Sequence, residues 1–247
     1  MNIIIAIAAA LLPVVLLLYY VWWKDPQKEP GEALWAAFRC GVFICIPAAL
    51  LEFGIESVLF GNVFDPSTAI GATVRAFFVA ALPEEGLKLL GLWFVLRNNK
   101  YFDEHVDGIV YAVCVSLGFA AFENITYVVN QPQWLQIALS RAFLSVPGHY
   151  AFGVLMGYYY SIYHFVDHSF STSLRILFVP VLAHGIYDAI LMVASVSDPT
   201  ISIICFIVLI YFCIKLHRLA FKRLEILIKK DKNRNDFYDF TLPYDKG

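Results

Sequence analysis

The sequence predicts an all-α fold, a polytopic transmembrane bundle of about seven spans, and two observations carry that prediction. Of the 247 residues, 60% are hydrophobic and 15% charged, with a mean hydropathy of +0.68, well outside the range of a soluble domain. The apolar residues also fall into seven runs, most of them near the ~20 residues a helix needs to cross a bilayer, separated by polar or proline-containing segments. The formal net charge of −2 sums a polar interior and a basic end, so it identifies no partner. No nucleotide or nucleic-acid motif is present.

Residues 3–23 carry no charge and end in Tyr19, Tyr20, Trp22 and Trp23, aromatics suited to a membrane interface. No basic residue precedes this run, so it reads as a retained helix rather than a cleaved leader. A charged loop, 24–32, leads to the second span, 33–60, with Glu52 and Glu56 on one face. The third, 69–96, holds Arg75 near its start and then Leu-Pro-Glu-Glu-Gly-Leu-Lys at 82–88. The fourth, 107–129, holds Gly118, Phe119, Glu123 and Asn124. The fifth, 137–163, carries Arg141, then Pro147-Gly148-His149, then Gly153 and Gly157 at the small-xxx-small spacing of closely packed helices. Pro180, His184 and Asp188 lie in the sixth, 174–195, and residues 201–214 form the seventh. Cys40, Cys45, Cys114, Cys205 and Cys213 sit in apolar runs without metal-type spacing and read as buried thiols.

Lysine and arginine set the expected topology. The first, third and fifth loops carry Lys24, Lys28, Arg97, Lys100 and Arg175, and the second, fourth and sixth carry none, which places the N-terminus outside and the C-terminus in the cytoplasm. Residues 1–214 are expected to form one transmembrane domain with its core at 69–195. Residues 215–247 are expected to be a basic amphipathic tail whose Lys215–Lys230 part suits an anionic leaflet, or a simple positive-inside anchor.

Glu84, Glu85 and Lys88 put three formal charges at membrane depth, each costing roughly 2.5–3.5 kcal/mol at a helix centre. Such residues belong against a protein interior or a wet cavity, and their i+3 and i+4 spacing lets the lysine hold a carboxylate ionised. Glu123, His149, His184 and Asp188 come from three further spans, and Glu84, His149 and His184 share a depth of about a dozen residues, or roughly 18 Å, from the outer helix ends. Prolines at 83, 147 and 180 precede three of these polar positions and free backbone carbonyls that favour a hydrated cavity. His-Glu-x-x-His, Gly-x-Ser-x-Gly and Gly-x-Gly-Asp are absent, and no Gly-rich phosphate loop is present, which leaves water activation. Glu84 is the expected general base, with Glu85 paired to Lys88 or assisting, although which glutamate faces the cavity is open. Glu123, His149 and His184 would give a zinc ion three ligands, with Asp188 beside His184. The rival is metal-free, with His184 and Asn124 donating to the oxyanion.

Glu84-Glu85-x-x-Lys88, Phe119-x-x-x-Glu123-Asn124, His149 and His184-x-x-x-Asp188 resemble, in order, the motifs of the PrsW family of intramembrane proteases, kin of the type II CAAX prenyl endopeptidases. Relative to the CAAX enzymes, Lys88 replaces an arginine one residue further on and Glu123 replaces a histidine. The resemblance implies a metalloprotease-like peptidase of the bacterial plasma membrane acting on membrane-anchored proteins such as anti-sigma factors. A transporter or channel with an acidic ion site, and a non-catalytic scaffold, are the competing readings.

Overall fold

The computed structural model describes residues 3–129 and 131–234, apart from the side chains of Gly61, Asn62 and Arg234. Seven helical rods form the fold, and no strand occurs among the described residues. They are α1 (Ile3–Lys24), α2 (Gly31–Asn62), a third rod made of α3 (Ala69–Val74), a π-helical stretch (Arg75–Ala81) and α4 (Leu82–Leu96), and then α5 (Asp107–Val128). A fifth rod joins α6 (Trp134–Ser140), a second π-helical stretch (Arg141–Ser145) and α7 (Val146–Phe165); α8 (Phe170–Val196) and α9 (Pro199–Arg234) complete the chain. Five helices (α1, α2, α5, α8 and α9) are each long and apolar enough to cross a membrane, and the other two rods are divided by their π stretches. The chain is a polytopic helical membrane bundle.

The π stretches answer the prolines. Proline has no N–H and its ring crowds the carbonyl four residues back. Immediately before Pro83 and Pro147 the ladder shifts register: Leu82 N–H bonds to the Phe77 carbonyl and Val146 N–H to that of Arg141, five residues back. The wider turn takes up the proline without ending the rod and aims the residues just after it inward.

α5 is the central helix, with residues 107–121 almost continuously buried, and α2 and α7 flank it. Glycine permits both approaches. A Cβ at Gly157 would stand 2.3 Å from the Gly108 carbonyl oxygen, and one at Gly118 would stand 2.1 Å from that of Phe38. The expected small-residue packing is thus present at Gly157 and also at Gly153, where a Cβ would meet Ser116 Cβ at 2.9 Å. Leu16, Phe43, Phe53, Ile203 and Ile207 on the outer rods remain exposed, as a lipid-facing surface requires. All five cysteines are free thiols.

The first, third and fifth loops meet at one end of the bundle. Gln27 Nε2 donates to Glu104 Oε1, Phe102 packs on Phe165, and the end of α9 joins them through Asp231 and His105. α9 runs unbroken through residue 214, where the sequence reading divides span from tail. Leu216, Ala220, Leu224 and Leu227 are buried against the bundle, whereas Leu219, Phe221 and Ile226 stay exposed. Residues 235–247 of the expected tail lie outside the described residues.

Candidate active site

Site side chains come from the third rod, α5, α7 and α8, and they form one chain of polar contacts. Lys88 is its hub. Its ammonium lies 2.9 Å from Glu84 Oε2, 2.8 Å from Glu85 Oε1 and 3.1 Å from His149 Nδ1, and 4.2 Å from the Phe119 ring centre. Three hydrogen-bonding contacts and a π face exhaust what an ammonium can give, so a lysine that is 1% exposed stays charged without water.

Lysine has no lone pair, so it donates to His149 Nδ1, and the ring's proton then sits on Nε2, 2.9 Å from Glu123 Oε2. His149 has both nitrogens committed and no lone pair left for a metal. The expectation that it ligates zinc therefore does not fit this arrangement. Ser116 Oγ holds the His149 carbonyl at 2.7 Å. His184 is placed differently: Nδ1 lies 2.9 Å from Glu85 Oε1, Nε2 lies 3.2 Å from Asp188 Oδ2, and Phe152 stacks on the ring at 4.7 Å. Both partners are acceptors, so both ring nitrogens can donate, and a metal bound at either one would take the place of its proton.

Glu123, His149 and His184 are neighbours, the two rings lying 5.6 Å apart, yet the carboxylate–imidazole set whose donor atoms all lie within 4.8 Å of one another is Glu84, Glu85 and His184. The nitrogen and oxygen donors of that set suit zinc, and Glu85 Oε2 is buried with no hydrogen-bond partner, an acceptor without an occupant. The residues present therefore fit a divalent metal.

A cavity of about 750 Å³ opens beside this network, its wall including Glu84, Glu123, His149, His184 and Asp188. Glu85 is fully buried behind that wall, which answers the question the sequence leaves open: Glu84 faces the cavity and Glu85 holds Lys88 and His184. Glu52, Glu56 and Arg75 line the same cavity, Arg75 Nε pairing with Glu56 at 3.1 Å.

Asn124 is placed elsewhere than its expected role requires. Its Nδ2 donates to the Ala10 carbonyl of α1 and its Oδ1 accepts from Arg141 Nε, so it offers the cavity no donor. Arg141 takes that place on the cavity wall, with Nη2 2.8 Å from Glu123 Oε2 and the guanidinium 4.2 Å from the Tyr127 ring centre. The Nη2 approach to Glu123 is an ion pair not aligned as a hydrogen bond, and Nη2 is buried without a hydrogen-bond partner. Sequence reasoning noted Arg141 only as the start of a span. The signal was there, because a charge inside an apolar run raises the same question that Lys88 does.

Comparison with known proteins accords with this arrangement. The family described as PrsW family intramembrane metalloprotease matches residues 29–214. The chain is 35% identical over 191 residues to Protease PrsW of Clostridioides difficile, covering 74% of this chain and 78% of that one. It is 34% identical over 215 residues to Protease PrsW of Oceanobacillus iheyensis (86% and 94% of the two chains), and 36% identical over 196 residues to that of Bacillus subtilis (76% and 84%). No solved structure matches the chain. With three quarters of its length inside the family match, and relatives about 35% identical over most of both chains, the chain belongs to the PrsW family of intramembrane metalloproteases.

Proposed function

We propose that this chain hydrolyses a peptide bond of a membrane-anchored protein, of the anti-sigma-factor kind, inside the bundle, with zinc as its metal. One observation carries the reading: Glu84, Glu85 and His184 converge at the wall of a cavity large enough for a stretch of peptide and water. Glu85 and His184 would hold the metal from behind, leaving Glu84 at the cavity face beside it. Bound there, zinc supplies Lewis-acid polarisation of the scissile carbonyl and lowers the pKa of water towards ~7.

The protein's own groups perform the proton and charge work. Glu84, hydrogen-bonded to Lys88, takes the proton from the attacking water and returns it to the departing amine. Arg141, on the cavity wall with its Nη2 unsatisfied by any hydrogen bond, would donate to the carbonyl oxygen as negative charge develops there. Glu85 also orients His184 through Nδ1, and Asn124, a positioning residue, orients Arg141 through Nε. Glu123 and His149 brace Arg141 and Lys88 from the far wall. Phe119 and Phe152 line the cavity and supply its apolar lining, which strengthens every charge interaction within it.

We assign the N-terminus to the outside of a bacterial plasma membrane and the end of α9 to the cytoplasm, from the lysine and arginine bias of the loops. Exposed Lys215, Arg218, Lys222 and Lys229 on α9 suit anionic headgroups. The test is membrane proteomics of cells carrying wild-type protein or Glu84→Gln, with metal analysis of both purified proteins. A fragment that disappears in the variant, together with near-stoichiometric zinc in the wild type, is expected. Full cleavage by both Glu84→Gln and Glu85→Gln, or activity that survives removal of all metal, overturns the assignment.

A further inference from the structure

A second acidic cluster lies outside the active site, at the end of the bundle where the first and third loops meet the end of α9. Asp25, Glu29, Glu104, Asp107 and Asp231 are all at least nine-tenths buried there. Their compensation is incomplete. Asp231 is matched by His105, whose Nδ1 lies 2.6 Å away, and Glu104 Oε1 accepts from Gln27. Of the two cations in the same loop, Lys28 spends its ammonium on the carbonyls of Trp22, Trp23 and Asp25, and Lys24 lies over the Tyr20 and Trp23 rings. Among the described residues, no lysine or arginine forms an ion pair with Asp25, Glu29, Glu104 or Asp107.

Two oxygens in this cluster lack any partner. Glu104 Oε2 and Asp107 Oδ1 are buried without a hydrogen bond, although Glu104 is 6% exposed and Asp107 fully buried. A buried carboxylate oxygen left bare is costly, and native structures rarely carry two side by side. Asp25, Glu104 and Asp107 moreover each bring one oxygen to within 4.8 Å of the others. Oxygens this close to one another can share an ion that binds each at ~2.4 Å, the range of calcium.

We infer that Asp25, Glu104 and Asp107 form a divalent-cation site of the hard, oxygen-liganded kind, taking calcium or magnesium and joining the α1–α2 loop to the α4–α5 junction. The donor set is carboxylate alone, because the nearby imidazole of His105 is held by Asp231. Burial pushes the Asp25 carboxyl up to about 6 against the opposing charge of Lys28, and raises Glu29 and Glu104 as well. Asp107 is fixed by its other oxygen, Oδ2, which accepts the backbone N–H groups of Asp103 and Glu104. The site is thus partly built by backbone that the same loop supplies.

The test uses the full chain in detergent, stripped with chelator and titrated with calcium or magnesium alone, read by thermal unfolding and by calorimetric binding. Wild type is expected to bind one ion and to unfold at higher temperature with it. Glu104→Gln, which keeps the contact available to Gln27, and Asp25→Asn should each weaken binding at least tenfold, while His184→Ala, which alters the active-site set, should respond as wild type does. Equal binding by wild type and both cluster variants overturns the site, as does loss of the response in His184→Ala. Silence of the wild type towards both cations up to about 10 mM, above even the weakest biological calcium affinities, also overturns it and leaves a proton shared between Glu29 and Asp107 as the compensating charge.

Discussion

Replacing Lys88 with methionine is expected to destabilise the protein more than any single change to a partner carboxylate. The ammonium stands 2.9 Å from Glu84 and 2.8 Å from Glu85, and Glu85 is fully buried. At an effective dielectric of ~20, unit charges this close attract by roughly 6 kcal/mol. Desolvation of both ions offsets most of that, so the pair adds little net stability over an apolar replacement. Removing one partner is another matter, because it strands buried charge and costs about 3–5 kcal/mol. For a chain of this length each kcal/mol shifts the midpoint by about 2–4 °C, so Lys88→Met should unfold roughly 6–20 °C below wild type. The same variant carrying Glu85→Gln no longer strands that carboxylate and should recover a large part of the loss. Thermal unfolding of the four proteins of this cycle in one detergent measures the coupling. A midpoint for Lys88→Met within about 2 °C of wild type, or strictly additive losses in the double variant, would refute a hub role for Lys88.

Arg141→Ala should lower the turnover rate about 10²–10³-fold with little change in KM, the pattern of a donor used mainly in the transition state, and Arg141→Lys should restore only part because a compact ammonium lacks the planar fork that reaches Asn124 and substrate from separate nitrogens; a KM effect alone would argue for substrate binding instead. Gly157→Ala places a Cβ 2.3 Å from the Gly108 carbonyl, so α7 must move off α5 at a cost of about 1–3 kcal/mol, and an unchanged unfolding midpoint would show that the helices do not meet there. Stripping the metal should abolish peptide cleavage and zinc should restore it in wild type but not in His184→Ala, as read by fragment formation in liposomes. The raised carboxyl of Asp25, which faces Lys28, Glu29, Glu104, Asp107 and Asp231, binds its proton more tightly in the folded chain than in the unfolded one. Its contribution without added cation is therefore most favourable below the ordinary value of 3.8 and declines as pH rises through about 6, so the stability difference between wild type and Asp25→Asn should shift against wild type over that interval, and a difference independent of pH would contradict it.

The seven helices could be read from the chain because a bilayer imposes a local rule. Every backbone polar group must be satisfied within its own segment, so length and apolarity alone mark a span, and charge inside one marks a site. Glu84, Glu85, Lys88, Glu123, His149, His184 and Asp188 were all recognisable by that rule before any coordinate was known. What each does was not, because successive helix residues point ~100° apart and the rotation of a rod is set by what it packs against. The close approach of Gly157 to Gly108 and of Gly118 to Phe38, with the π turns ahead of Pro83 and Pro147, fixes those rotations. Only then does Glu84 reach the cavity, Glu85 turn behind it to His184, His149 spend both nitrogens, and Asn124 face α1 and Arg141 rather than the cavity. The cluster of Asp25, Glu104 and Asp107 was invisible for a related reason: Asp25 and Glu104 lie in ordinary polar loops some 80 residues apart and Asp107 at the very start of α5, where a charge attracts no notice until the bundle closes over it and takes its water away.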